Sequence, residues 1–350
     1  MTSSPVYQGY KRYLRQVVMP AVGTEGQRRL QDSKVAILGQ GALGTVSANS
    51  LARAGVGYLR LVDRDYVDYT NLQRQVLFDE EDVSNALPKV IAAAKKLHKI
   101  NSEIEYEPVI ADIDHNNIKE FIADVDLVLD ATDNFAVRLL INEACVKYSI
   151  PWIHGACLSS YGVTFNIFPG ETPCFLCYLG KEPEPGTADT CDTAGIMGPV
   201  VNIVASIQAA EAFKYLTGNR EALNSTGMYL DLWQNRFYEL PLIRNKNCKV
   251  CVEHNYTFLE GHRKDSISYL CGSNAVQIVP AEKEKNEISL QSLAEKFANL
   301  GTVFNNNYLI KFIPANENFE ITLFADGRAL IKGTTDEKVA RTVYARYIGI

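Results

Sequence analysis

Two cysteine pairs are the residues of this chain whose type and spacing most directly indicate chemistry. Cys174 and Cys177 form the first pair, and Cys248 and Cys251 form the second, with residues 178–247 between them. Four thiolates in two such pairs fit a closed tetrahedral zinc site, which leaves no coordination position for a substrate. The spacing therefore predicts a structural zinc ion. Two redox-active pairs are the alternative, but neither pair has thioredoxin-like surroundings.

A glycine-rich loop containing Gly39, Gly41 and Gly44 lies between a predicted strand and a predicted helix. Glycines let the backbone approach a phosphate closely, and the helix N-terminus supplies unpaired N–H groups. Asp63 ends the next predicted strand, where a carboxylate typically accepts hydrogen bonds from ribose hydroxyls. A tight turn beside a surface acid is the alternative. The strand–loop–helix context favours nucleotide binding, although it does not separate NAD from ATP.

Cationic and acidic residues follow this loop along the chain. Arg74 and Lys89 suit the charge of a triphosphate, although spacing alone explains them equally well as solvated surface charges. Asp133 follows a predicted buried strand, and a carboxylate beside a polyphosphate is well placed to hold Mg²⁺. Asp133 or Asn134 could instead cap the helix that follows, and the two residues can divide these roles.

A proline- and glycine-rich segment from Gly180 to Gly198 shows little periodicity and is predicted to be a long surface loop. It carries Cys191, flanked by acidic and hydroxyl side chains. A cysteine on a loop can act as a nucleophile, although neighbouring acids would raise the pKa of its thiol unless a cation offsets them. An incidental thiol explains Cys191 equally well.

Composition limits the class of protein. The chain has 350 residues, 47% of them hydrophobic, and a formal net charge of −6, so it can bury a large core and does not resemble a general nucleic-acid binder. Its first residues lack signal-peptide organisation, and no apolar run reaches the roughly 18 residues of a membrane span. We expect a soluble, cytoplasmic protein whose eight cysteines are thiols or metal ligands rather than disulfides.

Apolar periodicity predicts alternating strands and helices up to about residue 255. The predicted strands are 35–38, 59–63, 126–130, 228–232 and 237–243, with a β-rich stretch over 153–168; the predicted helices are about 43–54, 88–100, 135–148 and 200–217. This alternation predicts an α/β fold with a doubly wound, mostly parallel, Rossmann-like sheet.

From about Tyr256 onward the pattern changes. Helices are predicted over 286–299 and 336–347, and strands over 308–313 and 319–324. We therefore predict two domains, an α/β domain over residues 1–255 and a small α+β domain over residues 256–350.

In their order along the chain, these motifs resemble the ThiF/MoeB family, the bacterial relatives of ubiquitin-activating enzymes. The resemblance covers about residues 10–255. It rests on Arg12-Tyr-x-Arg15-Gln16, the glycine loop, Asp63, Asn71-Leu-x-Arg74-Gln75, Pro88-Lys89, Thr132-Asp133-Asn134 and the paired cysteines. A small departure is Ala42, where many relatives have another glycine.

The resemblance implies an adenylyltransferase that binds ATP with Mg²⁺ and a small β-grasp sulfur-carrier protein ending in Gly-Gly. The carrier's terminal carboxylate attacks the α-phosphate, an acyl-adenylate forms and pyrophosphate leaves. The acyl group is then open to sulfur transfer, in thiamine thiazole synthesis or in molybdopterin synthesis.

The resemblance also implies residue roles. Asp63 holds the ribose, and Asn71, Arg74 and Lys89 contact the phosphates. Asp133 organises Mg²⁺. Arg15 reaches the phosphates from a neighbouring subunit, which implies a homodimer. Cys191 takes the place of a crossover-loop cysteine, which in some members forms a covalent link to the carrier and in others is dispensable.

Two other functions fit parts of the sequence. An NAD-dependent oxidoreductase would explain the glycine loop and Asp63, but would leave Arg74, Lys89 and the cysteine pairs without a role. A non-catalytic module that docks a carrier without activating it is disfavoured by the retention of Arg15, Arg74, Lys89 and Asp133. For the last 90 or so residues, which resemble the tail of certain longer bacterial ThiF-like proteins, carrier docking and dimer support are hypotheses.

Overall fold

The computed structural model describes residues 9–182, 191–262, 269–270, 275–279 and 289–348, and gives the backbone alone for residues 191–192 and 269–270. The chain divides into two compact units, Met1–Arg263 and Lys264–Ile350. The division lies later than the residue 255 expected from sequence because Tyr256 and Leu259 are buried in the core of the first unit.

An eight-stranded sheet organises the first unit. The strand order is β3-β2-β1-β4-β5-β6-β7-β8; β1 to β5 pair in parallel, and β6 to β8 pair antiparallel. The strands are β1 (Lys34–Leu38), β2 (Tyr58–Asp63), β3 (Glu105–Ile110), β4 (Leu127–Asp130), β5 (Trp152–Leu158), β6 (Tyr161–Ile167), β7 (Gly227–Asp231) and β8 (Arg236–Leu240). The prediction of a mostly parallel, Rossmann-like α/β sheet is confirmed. The strand order reverses between β1 and β4, which is where such folds bind ligands.

Helices cover both faces of this sheet. They are α1 (Leu14–Val17), α2 (Gly23–Asp32), α3 (Ala42–Ala54), α4 (Glu80–Ser84), α5 (Lys89–Ile100), α6 (Ile118–Ile122), α7 (Phe135–Tyr148), α8 (Phe175–Leu179), α9 (Cys191–Ala194) and α10 (Gly198–Thr217). Val35 and Ile37 of β1 join one buried cluster with α3, α5 and α10, whereas Ala36 and Leu38 join the other with α6, α7 and α8. Burial on both faces explains why the central strands are continuously apolar.

A six-stranded antiparallel sheet forms the second unit, in the order β11-β12-β13-β14-β10-β9. Its elements are β9 (Tyr269–Leu270), β10 (Ala275–Ile278), α11 (Leu290–Phe297), β11 (Gly301–Asn305), β12 (Leu309–Pro314), β13 (Glu320–Phe324), β14 (Ala329–Lys332) and α12 (Glu337–Tyr347). Phe297 stacks on Phe312 with ring centroids 4.5 Å apart, so helix and sheet share one core. An antiparallel sheet is therefore present in addition to the mostly parallel one.

The segment between Gly180 and Gly198 is not one uninterrupted loop, as the sequence suggested. The short helix α9 lies within it and ends before Gly195, which has a left-handed φ of 72°. Residues 183–190, which carry both prolines behind that prediction, lie outside the described residues. Among the helices described for this chain, none is long and apolar enough to cross a membrane.

Candidate active site and metal centre

The glycine loop packs tightly against the end of β4. A Cβ at Gly39 would lie 2.5 Å from the Ala131 carbonyl oxygen, and a Cβ at Gly44 would lie 2.0 Å from the Gly39 carbonyl oxygen. Gly41 is the N-cap of α3, and no side chain caps the helix there. A Cβ at Gly41 would have Gln75 Nε2, at 3.9 Å, as its nearest neighbour among the described residues. Two glycines are thus required by packing, and the third leaves the helix N-terminus open to an anion.

Asp63 is fixed against this loop at the end of β2. Its Oδ2 accepts a hydrogen bond of 2.6 Å from the Gln40 N–H, and its Oδ1 accepts one of 2.8 Å from the Asp65 N–H. Burial raises the pKa of the Asp63 carboxyl, and the nearby charge of Lys89 opposes this rise. In Rossmann-like folds a carboxylate at the end of this strand typically accepts hydrogen bonds from ribose hydroxyls.

Lys89 begins α5 and turns its ammonium group toward the same edge of the sheet. Its side chain is 8% exposed, and Nζ lies 3.0 Å from Asp65 Oδ2. Burial lowers the pKa of Lys89, but Asp65 and Asp63 outweigh burial and raise it above its ordinary value. Lys89 is therefore a buried, permanent positive charge, and the alternative of a solvated surface lysine is excluded.

The structure assigns the capping role, one of the two roles that the sequence left open, to Asn134. Asn134 caps α7, because its Oδ1 accepts a 2.8 Å hydrogen bond from the Val137 N–H. Asp133 is exposed in the turn after β4, and its carboxylate interacts electrostatically with Lys89 and Arg64. The structure thus brings the glycine loop, Asp63, Lys89 and Asp133 together at one edge of the sheet.

Asn71 and Arg74 lie on a separate short segment. Asn71 ends a 3₁₀ turn, Tyr69–Asn71, and its Oδ1 accepts a 3.0 Å hydrogen bond from the Asp68 N–H. Arg74 Nη1 donates to the Thr70 carbonyl at 2.8 Å. The next residue, Gln75, is buried with its amide group close to Gly41, and this contact places the segment beside the glycine loop.

Arg15 is not brought to this site within one chain. It is exposed on α1, where the neighbouring Gln16 donates a 2.9 Å hydrogen bond to the Ala54 carbonyl at the C-terminal end of α3. Helix α3 has 13 residues. It is therefore about 20 Å long, and the glycine loop lies at its other end.

Sequence reasoning missed Asp65 and Arg64. Asp65 is the ion-pair partner of Lys89, and Arg64 pairs with Asp112 at 2.9 Å beside the same edge. The alternating charges of the Asp63-Arg64-Asp65 run were the available signal. Their partners depend on where α5 and the end of β3 pack, so the run alone could not assign them.

The four paired cysteines converge although residues 178–247 separate the pairs. The Sγ–Sγ distances are 3.8 Å for Cys174–Cys177, 3.6 Å for Cys174–Cys248 and 3.5 Å for Cys177–Cys251, and all four sulfurs lie within 4.8 Å of one another. A tetrahedron of thiolates about 2.3 Å from zinc has edges of about 3.8 Å. Disulfide sulfurs would be about 2 Å apart. The donor set and its dimensions therefore fit zinc.

Cys191 is the first residue of α9, and its side chain lies outside the described part of the structure. The residues after α9 are attached to the β5–β6 turn, because the Ser159 N–H donates to the Gly195 carbonyl at 2.8 Å and the Met197 N–H donates to the Ser159 carbonyl at 2.8 Å. The backbone that carries Cys191 is thus anchored on the C-terminal side.

The fold and the site define a Rossmann-like α/β protein with a glycine-rich loop at a helix N-terminus, a buried lysine and a cluster of four cysteines. Residues 13–251 match the ThiF family, and the chain belongs to that family. The resemblance inferred from the motifs is confirmed.

One relative matches the chain well beyond residues 13–251. The chain is 41% identical over 341 residues to the sulfur carrier protein ThiS adenylyltransferase of Bacillus subtilis (strain 168), covering 97% of this chain and 99% of that protein. It is 39% identical over 241 residues to the molybdopterin-synthase adenylyltransferase of Escherichia coli (strain K12), covering 69% and 95%. A crystal structure of E. coli MccB with ATP is similar with a TM-score of 0.61 and 26% identity, covering 71% of this chain and 76% of that one.

Proposed function

We propose that this protein adenylylates the C-terminal carboxylate of a small sulfur-carrier protein with ATP and releases pyrophosphate. Its main support is the similarity to the Bacillus ThiS adenylyltransferase, which extends over both units of the chain. The molybdopterin-synthase relative matches 69% of the chain. The whole-length match therefore favours a ThiS-type carrier, and with it thiamine thiazole synthesis.

The site has the properties that this reaction needs. A carboxylate is already ionised at neutral pH, so its attack on the α-phosphate requires no general base. What it requires is neutralisation of the polyphosphate charge and an in-line geometry. Lys89 supplies a fixed positive charge, since Asp65 and Asp63 keep it protonated. The open N-terminus of α3 supplies N–H groups for the phosphates.

The proposal gives each nucleotide contact to a named residue. Asp63 binds the ribose hydroxyls, and the loop of Gly39, Gly41 and Gly44 receives the phosphates. Lys89 binds a phosphate by exchanging its contact with Asp65 for one with the ligand. By the family resemblance, Asn71 and Arg74 bind the phosphates from the neighbouring segment.

Asp133 is the residue that would hold Mg²⁺. It is an exposed carboxylate near the proposed triphosphate site, and Mg²⁺ prefers hard oxygen ligands. When bound, Mg²⁺ neutralises charge that develops on the phosphate oxygens. Cys174, Cys177, Cys248 and Cys251 would hold a structural zinc ion, with no open position for substrate.

Arg15 serves the site of a second copy. Within one chain it lies at the end of α3 remote from the glycine loop, so its contribution to phosphate binding requires a homodimer. Cys191 is a candidate for the covalent link that some family members form with their carrier. Mass spectrometry of the enzyme after turnover, compared with the Cys191→Ser variant, tests that role.

Carrier-dependent exchange of labelled pyrophosphate into ATP tests the main proposal. The full chain is mixed with ATP, Mg²⁺ and a carrier ending in Gly-Gly. The same carrier without its last glycine is the control, and carriers of the thiamine and molybdopterin pathways are compared. We expect pyrophosphate exchange with the intact carrier and none with the carrier that lacks its last glycine. Carrier binding without exchange would support a docking module, and binding of NAD in place of ATP would support an oxidoreductase.

A further inference from the structure

A buried polar network of Asp130, His154 and Arg138 lies at the carboxyl end of β4, and none of its residues has a role in the proposed reaction. Asp130 is fully buried, and its Oδ2 lies 2.8 Å from Nδ1 of His154, which is 2% exposed. Arg138 of α7 approaches the same oxygen, with Nε at 3.7 Å. Burying a charged carboxylate lowers the stability of the fold unless hydrogen bonds and opposite charges compensate for the lost hydration. The partners of Asp130 provide this compensation, and their positions indicate what the network holds in place.

The network holds the turn that presents Asp133. Asp130 Oδ1 accepts a 3.0 Å hydrogen bond from the Thr132 N–H and a 2.7 Å bond from the Thr132 hydroxyl. Arg138 Nη2 donates a 2.6 Å hydrogen bond to the Thr132 carbonyl. The amide, hydroxyl and carbonyl groups of Thr132 are thus all fixed, and Asp133 is the next residue.

The same turn packs against the glycine loop. The Ala131 carbonyl oxygen occupies the space where a Cβ of Gly39 would lie, at a separation of 2.5 Å. On the other side, Gln208 of α10 donates hydrogen bonds to the Asp130 and Ile153 carbonyls at 2.9 and 3.2 Å. The position of Asp133 relative to the loop is therefore set by Asp130 and its partners.

We propose that Asp130, supported by His154 and Arg138, is a positioning residue that holds Asp133 at the distance from the glycine loop required by a magnesium-bound triphosphate. This inference rests on the proposed function. Asp130 acts through the backbone of Thr132 and touches neither nucleotide nor metal.

The network requires a carboxylate at this position. Asp130 faces the Thr132 amide and hydroxyl on one oxygen, and His154 and the Arg138 guanidinium on the other. An ionised carboxylate is an acceptor on both oxygens, whereas an asparagine amide turns two N–H donors toward one side. Burial raises the pKa of Asp130, but the hydrogen bond from His154 and the charge of Arg138 hold it below its ordinary value.

Asp130→Asn in the full-length protein tests the inference. The readout is the Mg²⁺ concentration that half-saturates carrier-dependent pyrophosphate exchange, together with the KM for ATP at saturating Mg²⁺. Loss of a residue that orients a metal-binding group typically costs about 10–100-fold in metal affinity or activity. We expect half-saturation to rise by about that factor, with a change in KM for ATP of less than about threefold.

Glu211→Gln is the matched control. Glu211 is also a buried carboxylate, 5% exposed, and it accepts hydrogen bonds from Asn166 Nδ2 at 2.6 Å and from the Asn224 N–H at 2.9 Å. The change of charge and shape is the same, but none of these partners belongs to the Asp133 turn. We expect Glu211→Gln to leave the Mg²⁺ response unchanged.

A second variant and a second readout make the outcome decisive. Thr132→Val removes one hydrogen bond from a partly exposed residue, and it should shift the Mg²⁺ response in the same direction by a smaller factor even where Asp130→Asn does not fold. Mn²⁺ binding with α,β-methylene ATP, measured by electron paramagnetic resonance, needs no carrier. Wild-type Mn²⁺ affinity in both variants, or an equal loss in Glu211→Gln, would overturn the inference. Absence of exchange by the wild type with intact Mn²⁺ binding would overturn the proposed function alone.

Discussion

Glu143 gives the first unit a dependence of stability on pH that the structure allows to be calculated. The side chain of Glu143, on α7, is 3% exposed, and its Oε2 accepts hydrogen bonds of 2.8 and 2.9 Å from the N–H groups of Phe258 and Leu259. Burial raises the pKa of Glu143 from its ordinary 4.5 to about 7, the two N–H groups lower it in part, and the carboxylates of Glu182 and Glu260 raise it further.

The sign of the effect follows from proton binding. Between pH 4.5 and about 7, the unfolded chain has released the Glu143 proton and the folded chain retains it. Raising the pH through this window therefore favours the unfolded state. Below the window both states are protonated and there is no penalty. Above it both are ionised and the full penalty applies, which is about 3 kcal/mol for this shift.

Glu143→Gln removes the penalty, because the amide oxygen can still accept from both backbone N–H groups. Relative to wild type, the free energy of unfolding of the variant should be about 2.5 kcal/mol more favourable to the folded state at pH 8 than at pH 5. Taking the difference between two pH values cancels effects of the substitution that do not depend on ionisation.

Urea denaturation followed by tryptophan fluorescence measures this quantity. Both tryptophans, Trp152 and Trp233, lie in the first unit, so their emission reports its unfolding separately from that of the second unit. Glu260→Gln, which removes an exposed neighbouring charge and leaves Glu143 buried, is the control and should show a much smaller pH-dependent difference. Identical pH dependence in wild type and Glu143→Gln would refute the reasoning.

Two further predictions concern the loop and the metal centre. Gly44→Ala places a Cβ 2.0 Å from a backbone oxygen and should lower the free energy of unfolding by about 1–3 kcal/mol. Gly41→Ala should fold normally and bind ATP more weakly, because the nearest described atom to its Cβ is Gln75 Nε2 at 3.9 Å. Calorimetric melting and ATP titration distinguish the two variants, and equal melting temperatures would contradict the packing argument. The purified protein should contain one zinc ion per chain. The Cys177→Ser variant should lose the zinc ion and melt at a lower temperature, whereas the control variant Cys157→Ser should retain the ion. Metal analysis that finds no zinc in the wild type would reject the site.

Much of the first unit could be predicted because the signals are local. Alternating apolar runs gave the strands at 35–38 and 59–63 to within a residue at either end. The glycine loop was recognisable because its glycines lie between a predicted strand and a predicted helix. In the structure Gly39 and Gly44 are required by close packing against backbone oxygens, a reason that the sequence does not show. The division of the chain after Arg263 could not be read from the sequence, since nothing local indicates that Tyr256 and Leu259 pack in the core of the first unit.

Sequence by itself determined the nature of this protein's chemistry, through the two cysteine pairs, the glycine loop and the acid that ends β2. These features depend only on residue type and on short spacing, both of which can be read directly from the sequence. Only the tertiary structure shows that Lys89 is buried against Asp65 and that Asp130 contacts His154, 24 residues further along the chain. It also places Arg15 near the C-terminal end of α3, remote from the glycine loop. Such contacts follow from the order of the strands, with β4 rather than β3 beside β1, and that order is set by how helices pack on both faces of the sheet rather than by any local pattern.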